Sequence, residues 1–191
     1  MASSSEGSST RRRGGEPFIG SPPLVHVEEL VRRAQRGDAV AIETLLGAMS
    51  PYIGAICGAI ALGAAEDAMQ ETLVAVFTNI GSLREPAAFK GWVRRIAVRE
   101  AVRAARGGRV VPVDPEGLQQ ALSLSVPDGA TAVEVREVLA TLSPEQRAVL
   151  TMRHLEGLNE EEMVDVLEVA AGTVKSRLHR ARAAFRERWI A

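Results

Sequence analysis

The stretch from residue 143 to residue 189 constrains the fold most, because it holds three helix-start signals within about thirty residues. Each signal places a small polar residue directly before an apolar helical pattern, and two of them have the spacing of a capping box. The residues that carry the signals are Ser143, Pro144 and Gln146 for the first helix, Asn159 and Glu162 for the second, and Thr173 for the third. Two short helices, a tight turn and a long helix are the layout of a helix-turn-helix unit.

The third helix combines an apolar stripe with a basic face. On a helical wheel, one arc predicts the core-facing side, and it holds Val174, Leu178, Ala181, Phe185 and Trp189. Residues 173–191 contain six basic residues and one acidic residue, whereas residues 159–172 contain five acidic residues and no basic one. A basic face on an isolated helix is most often only solvated. The helix-turn-helix context favours contact with a polyanion, and we predict that this face binds DNA.

Composition predicts an all-α chain without a metal or a cofactor. Hydrophobic residues make up 46% of the sequence but aromatic residues only 4%, and no sustained period-two alternation occurs. The single cysteine, Cys57, excludes an internal disulfide and a multi-thiolate zinc site, and it lies in an apolar run that predicts a buried, inert thiol. The histidines His26, His154 and His179 lack metal-ligand spacing.

An uncharged segment from Thr44 to Ala65 is long enough to span a membrane. Pro51 follows Ser50 in a helix-start pattern, and four glycines dilute the hydrophobicity of the segment. We therefore predict two core helices that meet at Ser50–Pro51, with small residues allowing close approach, and no membrane insertion.

The pattern along the chain predicts two small helical domains. Helical periodicity recurs at 27–36, 39–48, 51–61, 66–80 and 87–106. Proline, glycine and acidic residues then dominate. The predicted organisation is a disordered tail at 1–24, a first domain at 25–107, an extended acidic linker at 108–130 and a helix-turn-helix domain at 131–191. The tail has no apolar segment after its arginines, which excludes a signal peptide.

The first domain has a basic end with aromatic residues beside it. Residues 84–109 contain eight basic residues and two acidic ones. Phe89, Trp92 and Ile96 follow at helical spacing, which predicts that most of their surface anchors the core. Arginines flanking exposed aromatic rings also suit single-stranded nucleic acid, and we predict that the arginines face DNA.

The runs SPEQRAVLTMRHLEGL and GTVKSRLHRAR resemble the region-four domain of extracytoplasmic-function (ECF) sigma factors of bacterial RNA polymerase. This resemblance implies that the last helix enters the major groove of the −35 promoter element. The implied DNA contacts are Thr173, Lys175, Ser176, Arg177, His179, Arg180, Arg182 and Arg186.

The first domain is similar to the region-two domain of the same family, through RRAQRGDAVAIETLL, AEDAMQETLVAVFTNI and FKGWVRRIAVREAVRAAR. The resemblance implies docking on the clamp helices of the polymerase β′ subunit and capture of the melted −10 strand. The implied docking residues are Asp67, Gln70, Glu71 and Thr72. The implied −10 contacts are Asn79, Lys90, Trp92, Arg94, Arg95 and Arg99. One departure is Glu168, which stands where glycine commonly ends the helix and predicts a strained left-handed cap.

As a whole, the resemblance implies a cytoplasmic sigma factor that binds core polymerase through the β′ clamp helices and the β flap, binds promoter DNA, and is held by an anti-sigma factor. It implies no small-molecule substrate. A LuxR-type activator that binds duplex DNA shares the helix-turn-helix pattern but leaves the first domain unexplained. A sigma mimic that titrates an anti-sigma factor needs no basic recognition helix. No residue set predicts an enzyme.

Overall fold

The computed structural model describes residues 24–107 and 129–190, and the regular structure in these ranges is helical throughout. The all-α prediction is thereby confirmed. The helices are α1 Leu24–Gln35, α2 Ala39–Ala61, α3 Ala65–Asn79, α4 Phe89–Arg106, α5 Gly129–Ala140, α6 Pro144–His154, α7 Glu160–Leu167 and α8 Ala171–Ile190. Short 3-10 turns join α2 to α3 and α3 to α4. The predicted tail and linker lie almost wholly outside the described residues.

Helix α2 is the centre of the first domain. Its residues from Tyr52 to Gly58 are all buried, because α1, α3 and α4 surround it and α6 of the second domain packs against it as well. A helix buried all round needs no polar face. By length and composition Ala39–Ser82 could cross a membrane, yet half of its most apolar window is buried inside the protein. Core packing therefore accounts for the apolar composition of this segment.

The predicted helix break at Ser50–Pro51 is wrong, since α2 runs through it without interruption. Pro51 removes one backbone N–H and crowds the carbonyl four residues earlier, but it lies on the exposed side of the helix. The Ser50 hydroxyl donates to the Leu46 carbonyl at 2.8 Å. Close approach does not require glycine at position 54 either, because a Cβ there would meet Met69 Sδ at an ordinary 3.5 Å. Packing of the helix before and after Pro51 against its neighbours outweighs the free-energy cost of the lost hydrogen bond and the crowded carbonyl.

Cys57 lies inside this core with no exposed surface. Burial raises the pKa of its thiol to about 12, and a hydrogen bond with Thr72 opposes that rise only partly. A thiol held protonated in apolar surroundings is unreactive, which agrees with the prediction of an inert cysteine.

Both predicted capping boxes are present in the second domain. The Ser143 hydroxyl accepts from the Gln146 N–H at 3.2 Å, and the Gln146 side chain accepts from the Ser143 N–H at 2.9 Å. Asn159 and Glu162 exchange the equivalent bonds at 2.9 and 2.8 Å. These reciprocal bonds satisfy N–H groups that a helix end leaves without partners, and they fix where α6 and α7 begin.

The two domains pack against each other, with α6 on α2 and both α6 and α7 on α4. Arg147 of α6 is buried in this interface, where its Nε donates to the Ile60 carbonyl at 2.6 Å and its Nη1 to the Leu142 carbonyl at 2.7 Å. Buried residues of both domains consequently form one continuous apolar core.

Candidate nucleic-acid and polymerase interfaces

The turn between α7 and α8 is short and strained. Glu168 ends α7 with φ 52° and ψ 43°, in the left-handed region that favours glycine. The Thr173 N–H then donates to the Ala170 carbonyl at 2.8 Å, within the first turn of α8. The left-handed ending predicted for Glu168 is thus confirmed, and the tight turn sets the angle at which α8 leaves α7.

The apolar stripe of α8 is buried only in its first half. Val174, Leu178 and Ala181 are buried, and Phe185 is half-buried. Trp189 is 44% exposed and stacks on Phe185, with ring centroids 5.8 Å apart. The prediction that Trp189 faces the core is therefore wrong, because the end of α8 extends past the packed part of the domain.

Thr173 does not cap α8, because the helix begins two residues earlier, at Ala171. It is half-buried, and its carbonyl accepts from the Ser176 hydroxyl at 3.2 Å. The other predicted −35 residues lie outside the buried stripe of α8. Exposed there are Lys175, Ser176, His179, Arg180, Arg182 and Arg186, and Arg177 is half-buried. They spread over more than half of the circumference of the helix, with Arg177 and Arg182 on opposite sides of the buried stripe.

An apolar groove that the sequence did not reveal lies along the second half of α8. Its volume is about 640 Å³, and Leu139 of α5, Leu150 of α6 and Phe185 of α8 line it. Arg182 and Arg186 border the same groove. Ala59 of α2 lines it as well, so four helices build the groove together and no single helix carries a signal for it in the sequence.

The aromatic residues at the start of α4 are mainly core residues. Phe89 and Ile96 are buried, and Trp92 is half-buried with its ring centroid 6.3 Å from that of Phe89. Trp92 keeps part of its surface in solvent, which leaves it able to meet an unstacked base.

The predicted −10 residues lie at the end of α3 and along the first half of α4, and they differ in exposure. Asn79, Lys90, Arg95 and Arg99 are exposed. The Lys90 ammonium lies 4.9 Å from the centre of the Tyr52 ring. The Arg99 Nε donates to Glu100 at 3.2 Å. Arg94, like Trp92, is half-buried.

On α3, the structure places three of the four predicted docking residues on the surface. Asp67, Gln70 and Glu71 are exposed. Thr72 is fully buried and its hydroxyl donates to the Ala68 carbonyl at 2.7 Å, so its assignment to the docking surface is wrong. Successive residues on a helix are rotated by about 100°. Position 72 therefore points away from the exposed face that carries Glu71 and towards α2.

Two exposed apolar residues extend this face of α3. Val74 is 61% exposed and Phe77 is 59% exposed. Their spacing from Gln70 puts them on the side of the helix that carries Asp67 and Glu71. A helical wheel drawn for α3 would have found them, since large apolar residues outside the buried arc are a signal for protein contact.

The two predicted DNA-binding surfaces approach each other. A cleft of about 350 Å³ between α4 and the second domain is lined by Arg95 and Arg99 of the −10 set and by Arg177 of the −35 set. Arg103 and Arg106 line it too. Across residues 24–107 and 129–190, no cluster of three or more His, Cys, Asp or Glu side chains could hold a metal ion. The arginines that line the cleft suit an anionic partner.

Two family models match this chain. Residues 59–110 match sigma-70 region 2, and residues 132–185 match sigma-70 region 4. The first match covers α3 and α4, and the second covers the helix-turn-helix. A LuxR-type activator does not account for the region 2 match, and no match supports that alternative.

Known proteins resemble the chain over most of its length. RNA polymerase sigma-H factor of Pseudomonas aeruginosa is 31% identical over 177 residues, which cover 82% of this chain and 90% of that protein. The ECF RNA polymerase sigma-E factor of Salmonella typhimurium is 29% identical over 171 residues, covering 81% and 90%. The fold is similar to CnrH in its complex with the cytosolic domain of CnrY, with a TM-score of 0.55, 21% identity and coverage of 84% and 95%. The chain belongs to the ECF sigma factors of bacterial RNA polymerase.

Proposed function

We propose a division of work among three surfaces of this sigma factor. As a member of its family the chain binds core polymerase, recognises the −35 and −10 promoter elements and directs transcription initiation. In the proposed division, α8 reads the −35 element, the start of α4 holds the −10 strand, and α3 docks on the β′ clamp helices.

The exposed face of α8 supports its role at the −35 element. Lys175 and Arg180 point away from the core, and no basic residue of α8 has an ion-pair partner within the described residues. Such cations are available for phosphates and base edges. Ser176 and His179 between them add hydrogen-bonding groups on the same face.

The mixed character of the α3 face supports docking. Exposed apolar surface at Val74 and Phe77 lies beside the carboxylates of Asp67 and Glu71. Interfaces of this kind use a buried aromatic anchor surrounded by polar residues that set orientation. The single observation that carries the docking proposal is the exposure of two large apolar residues, Val74 and Phe77, on one face of α3.

The groove in the second domain and the related structure of CnrH support two further partners. The apolar groove bordered by Arg182 and Arg186 suits an apolar segment with acidic flanks, and we assign it to the β flap of polymerase. CnrH was solved with the cytosolic domain of CnrY, and by analogy an anti-sigma factor regulates this chain. Its site of action is the cytoplasm, where polymerase works, and its role is promoter recognition without catalysis of its own.

A core-binding assay combined with run-off transcription tests this proposal. Purified core polymerase should bind the protein and initiate at discrete promoters. The variants Asp67→Lys and Phe77→Ala should each lower core affinity at least about tenfold, because the first reverses a charge and the second removes the aromatic anchor of the proposed docking face. Binding of duplex −35 DNA should stay the same.

Glu43→Lys is the matched control for charge reversal, because Glu43 is an exposed carboxylate on a different helix, α2. Full core affinity in both α3 variants would show that the docking surface lies elsewhere. Binding of duplex DNA without core association would contradict the proposed function as a whole.

A further inference from the structure

Gln35 links helix α1 to the loop that joins α3 to α4. It is the last residue of α1 and is half-buried. Its Nε2 donates to the Ile80 carbonyl at 3.1 Å and to the Leu83 carbonyl at 2.6 Å. Two carbonyl oxygens can bind only the NH2 end of the amide, which has two hydrogens to donate. One side-chain group therefore binds two points of the loop, which lie 45 and 48 residues away in the sequence.

The hydrogen bonds within this loop are local. The loop covers residues 80–88 and contains two 3-10 turns, Ile80–Ser82 and Pro86–Ala88, whose hydrogen-bond geometry is poorer than that of an α-helix. The Leu83 N–H donates to the Ile80 carbonyl at 3.2 Å, and the Ala88 N–H donates to the Glu85 carbonyl at 3.0 Å. Within residues 24–107 and 129–190, Gln35 is the one side chain outside the loop that donates hydrogen bonds to it.

The inner and outer sides of the loop differ. Ile80 is 6% exposed and Leu83 is 8% exposed, and both belong to the apolar core. Helix α1 packs against both 3-10 turns. Ser82 and Arg84, next to these buried residues, are exposed. The bonds from Gln35 thus reach the loop at its two buried residues and leave the neighbouring side chains open to a ligand.

The loop also connects the two parts of the proposed −10 surface. Asn79 precedes it at the end of α3, and Lys90 and Trp92 follow it at the start of α4. A shift of the loop therefore changes the position of these residues relative to one another. Groups that read an unstacked base discriminate best when they are ordered before it binds, because ordering them on binding costs free energy.

We propose that Gln35 is a positioning residue for the −10 element, and that its two donated hydrogen bonds keep the loop 80–88 in the shape that discriminates among −10 bases. The inference rests on the proposed function, because that function places the −10 strand at the start of α4. Gln35 acts through the carbonyls of Ile80 and Leu83 and needs no contact with DNA.

Two variants separate the hydrogen bonds of Gln35 from its bulk. Gln35→Met keeps an unbranched side chain of similar length and removes both donors without adding a charge. Gln35→Lys supplies donors again, and its cation suits the last residue of a helix. Ser50→Ala is the matched control, since the half-buried Ser50 hydroxyl donates to a backbone carbonyl inside α2, that of Leu46, at 2.8 Å.

The first measurement is run-off transcription by the holoenzyme from a promoter library. The library is randomised across the −10 element and keeps the −35 sequence that the parent protein prefers. Gln35→Met should lower the preference for the favoured −10 base about fivefold, the order expected for a lost hydrogen bond. A second library, randomised across the −35 element, should give the preference of the parent protein.

Gln35→Lys should restore the −10 preference, and Ser50→Ala should match the parent protein in both libraries. The added charge of the lysine strengthens binding to every DNA sequence alike. It therefore cancels in a ratio between bases, which is why preference is measured and not affinity.

The second measurement is hydrogen–deuterium exchange of the full chain without DNA. Gln35→Met should exchange faster over residues 80–88, because the loop opens more often when its donor is lost. Residues 39–61 of α2 should keep the rate of the parent protein. Gln35→Lys should slow the exchange of the loop again.

Every outcome supports or contradicts the proposal. An unchanged −10 preference in Gln35→Met would show that Gln35 does not position the loop. Equal losses of preference at −10 and −35, or faster exchange over 39–61 as well, would show a general loss of stability and contradict the positioning role. Failure of Gln35→Lys to restore the preference would show that the donated bonds do not order the loop. A parent protein that initiates nowhere with core polymerase would contradict the proposed function itself, before any variant is compared.

Discussion

Helices α4 and α8 have the same net charge, but they differ in how many of their basic residues form ion pairs within the protein. Each contains six basic residues and one acidic residue. In α4, four arginines have ion-pair partners, namely Arg94, Arg99, Arg103 and Arg106. In α8, no arginine has one within the part of the chain that the structure describes. The charge available to a ligand therefore depends on packing and cannot be counted from sequence.

The difference arises from how deeply each helix is buried. Helix α4 buries seven residues, including Glu100, which is 8% exposed and accepts from both Arg99 and Arg103. The hydrogen bond with Glu100, followed by its charge, raises the pKa of Arg103. Helix α8 buries only three residues, all apolar. DNA must compete with existing carboxylate partners on α4, whereas on α8 it replaces water and small ions.

The largest expected effect contrasts the aromatic residues of the two helices. Phe89→Ala in α4 should lower the free energy of unfolding by about 3–5 kcal/mol, because it leaves a cavity at a site that is 1% exposed. Trp189→Ala in α8 should cost less than about 1 kcal/mol, because the ring is nearly half exposed and loses mainly its stacking on Phe185. Urea denaturation monitored by circular dichroism measures both. Equal costs would show that the end of α8 is packed in solution.

A smaller effect separates paired from unpaired arginines. Arg180→Ala in α8 should weaken promoter binding by about 1–3 kcal/mol if the residue reads a base, or lower the salt dependence by about one unit if it binds a phosphate. Arg99→Ala in α4 should cost less, because Glu100 already neutralises part of that charge. Fluorescence anisotropy across a range of salt concentrations distinguishes the two. Equal losses would mean that ion pairing on α4 does not limit DNA binding.

The smallest expected effect compares the residues that follow two helices. Glu168→Gly should stabilise the protein by about 1 kcal/mol, because glycine relieves the left-handed conformation after α7. Gly107→Ala after α4 should change stability by less than about 1 kcal/mol, because Gly107 has φ −66° and a Cβ there would lie 3.4 Å from the nearest atom. Thermal unfolding of both variants measures the effect. A destabilised Glu168→Gly variant would mean that the Glu168 side chain makes a contact worth more than the strain.

Local sequence signals predicted the second domain well. Ser143 and Asn159 fix their helix starts through side-chain bonds to residues three positions away, so the information lies within a few residues. The strained Glu168 was also visible from sequence, because the need for glycine at a left-handed helix end is a local rule. The apolar stripe was correct as far as Ala181 for the same reason.

The errors arose where distant parts of the chain decide the structure. Pro51 lies inside α2 because four other helices cover that helix, which its local pattern cannot show. Thr72 belongs to the buried face of α3, a distinction of one residue that family resemblance alone did not make. The domain interface itself includes Glu156, which accepts from Tyr52 and Arg94, and these pairs are separated by 104 and 62 residues in the sequence. Sequence periodicity contains no information at that range.

Cys57 is the only cysteine in the chain, and its burial in α2 makes it a natural reporter of motion. With a pKa of about 12, only about one thiol in ten thousand is ionised at pH 8, and the thiolate is the reactive form. A thiol-specific dye therefore modifies the native protein only in the brief intervals when α2 is released from its neighbours. The labelling rate therefore measures how often α2 is released. Local opening of the first domain can be followed in this way without introducing another cysteine.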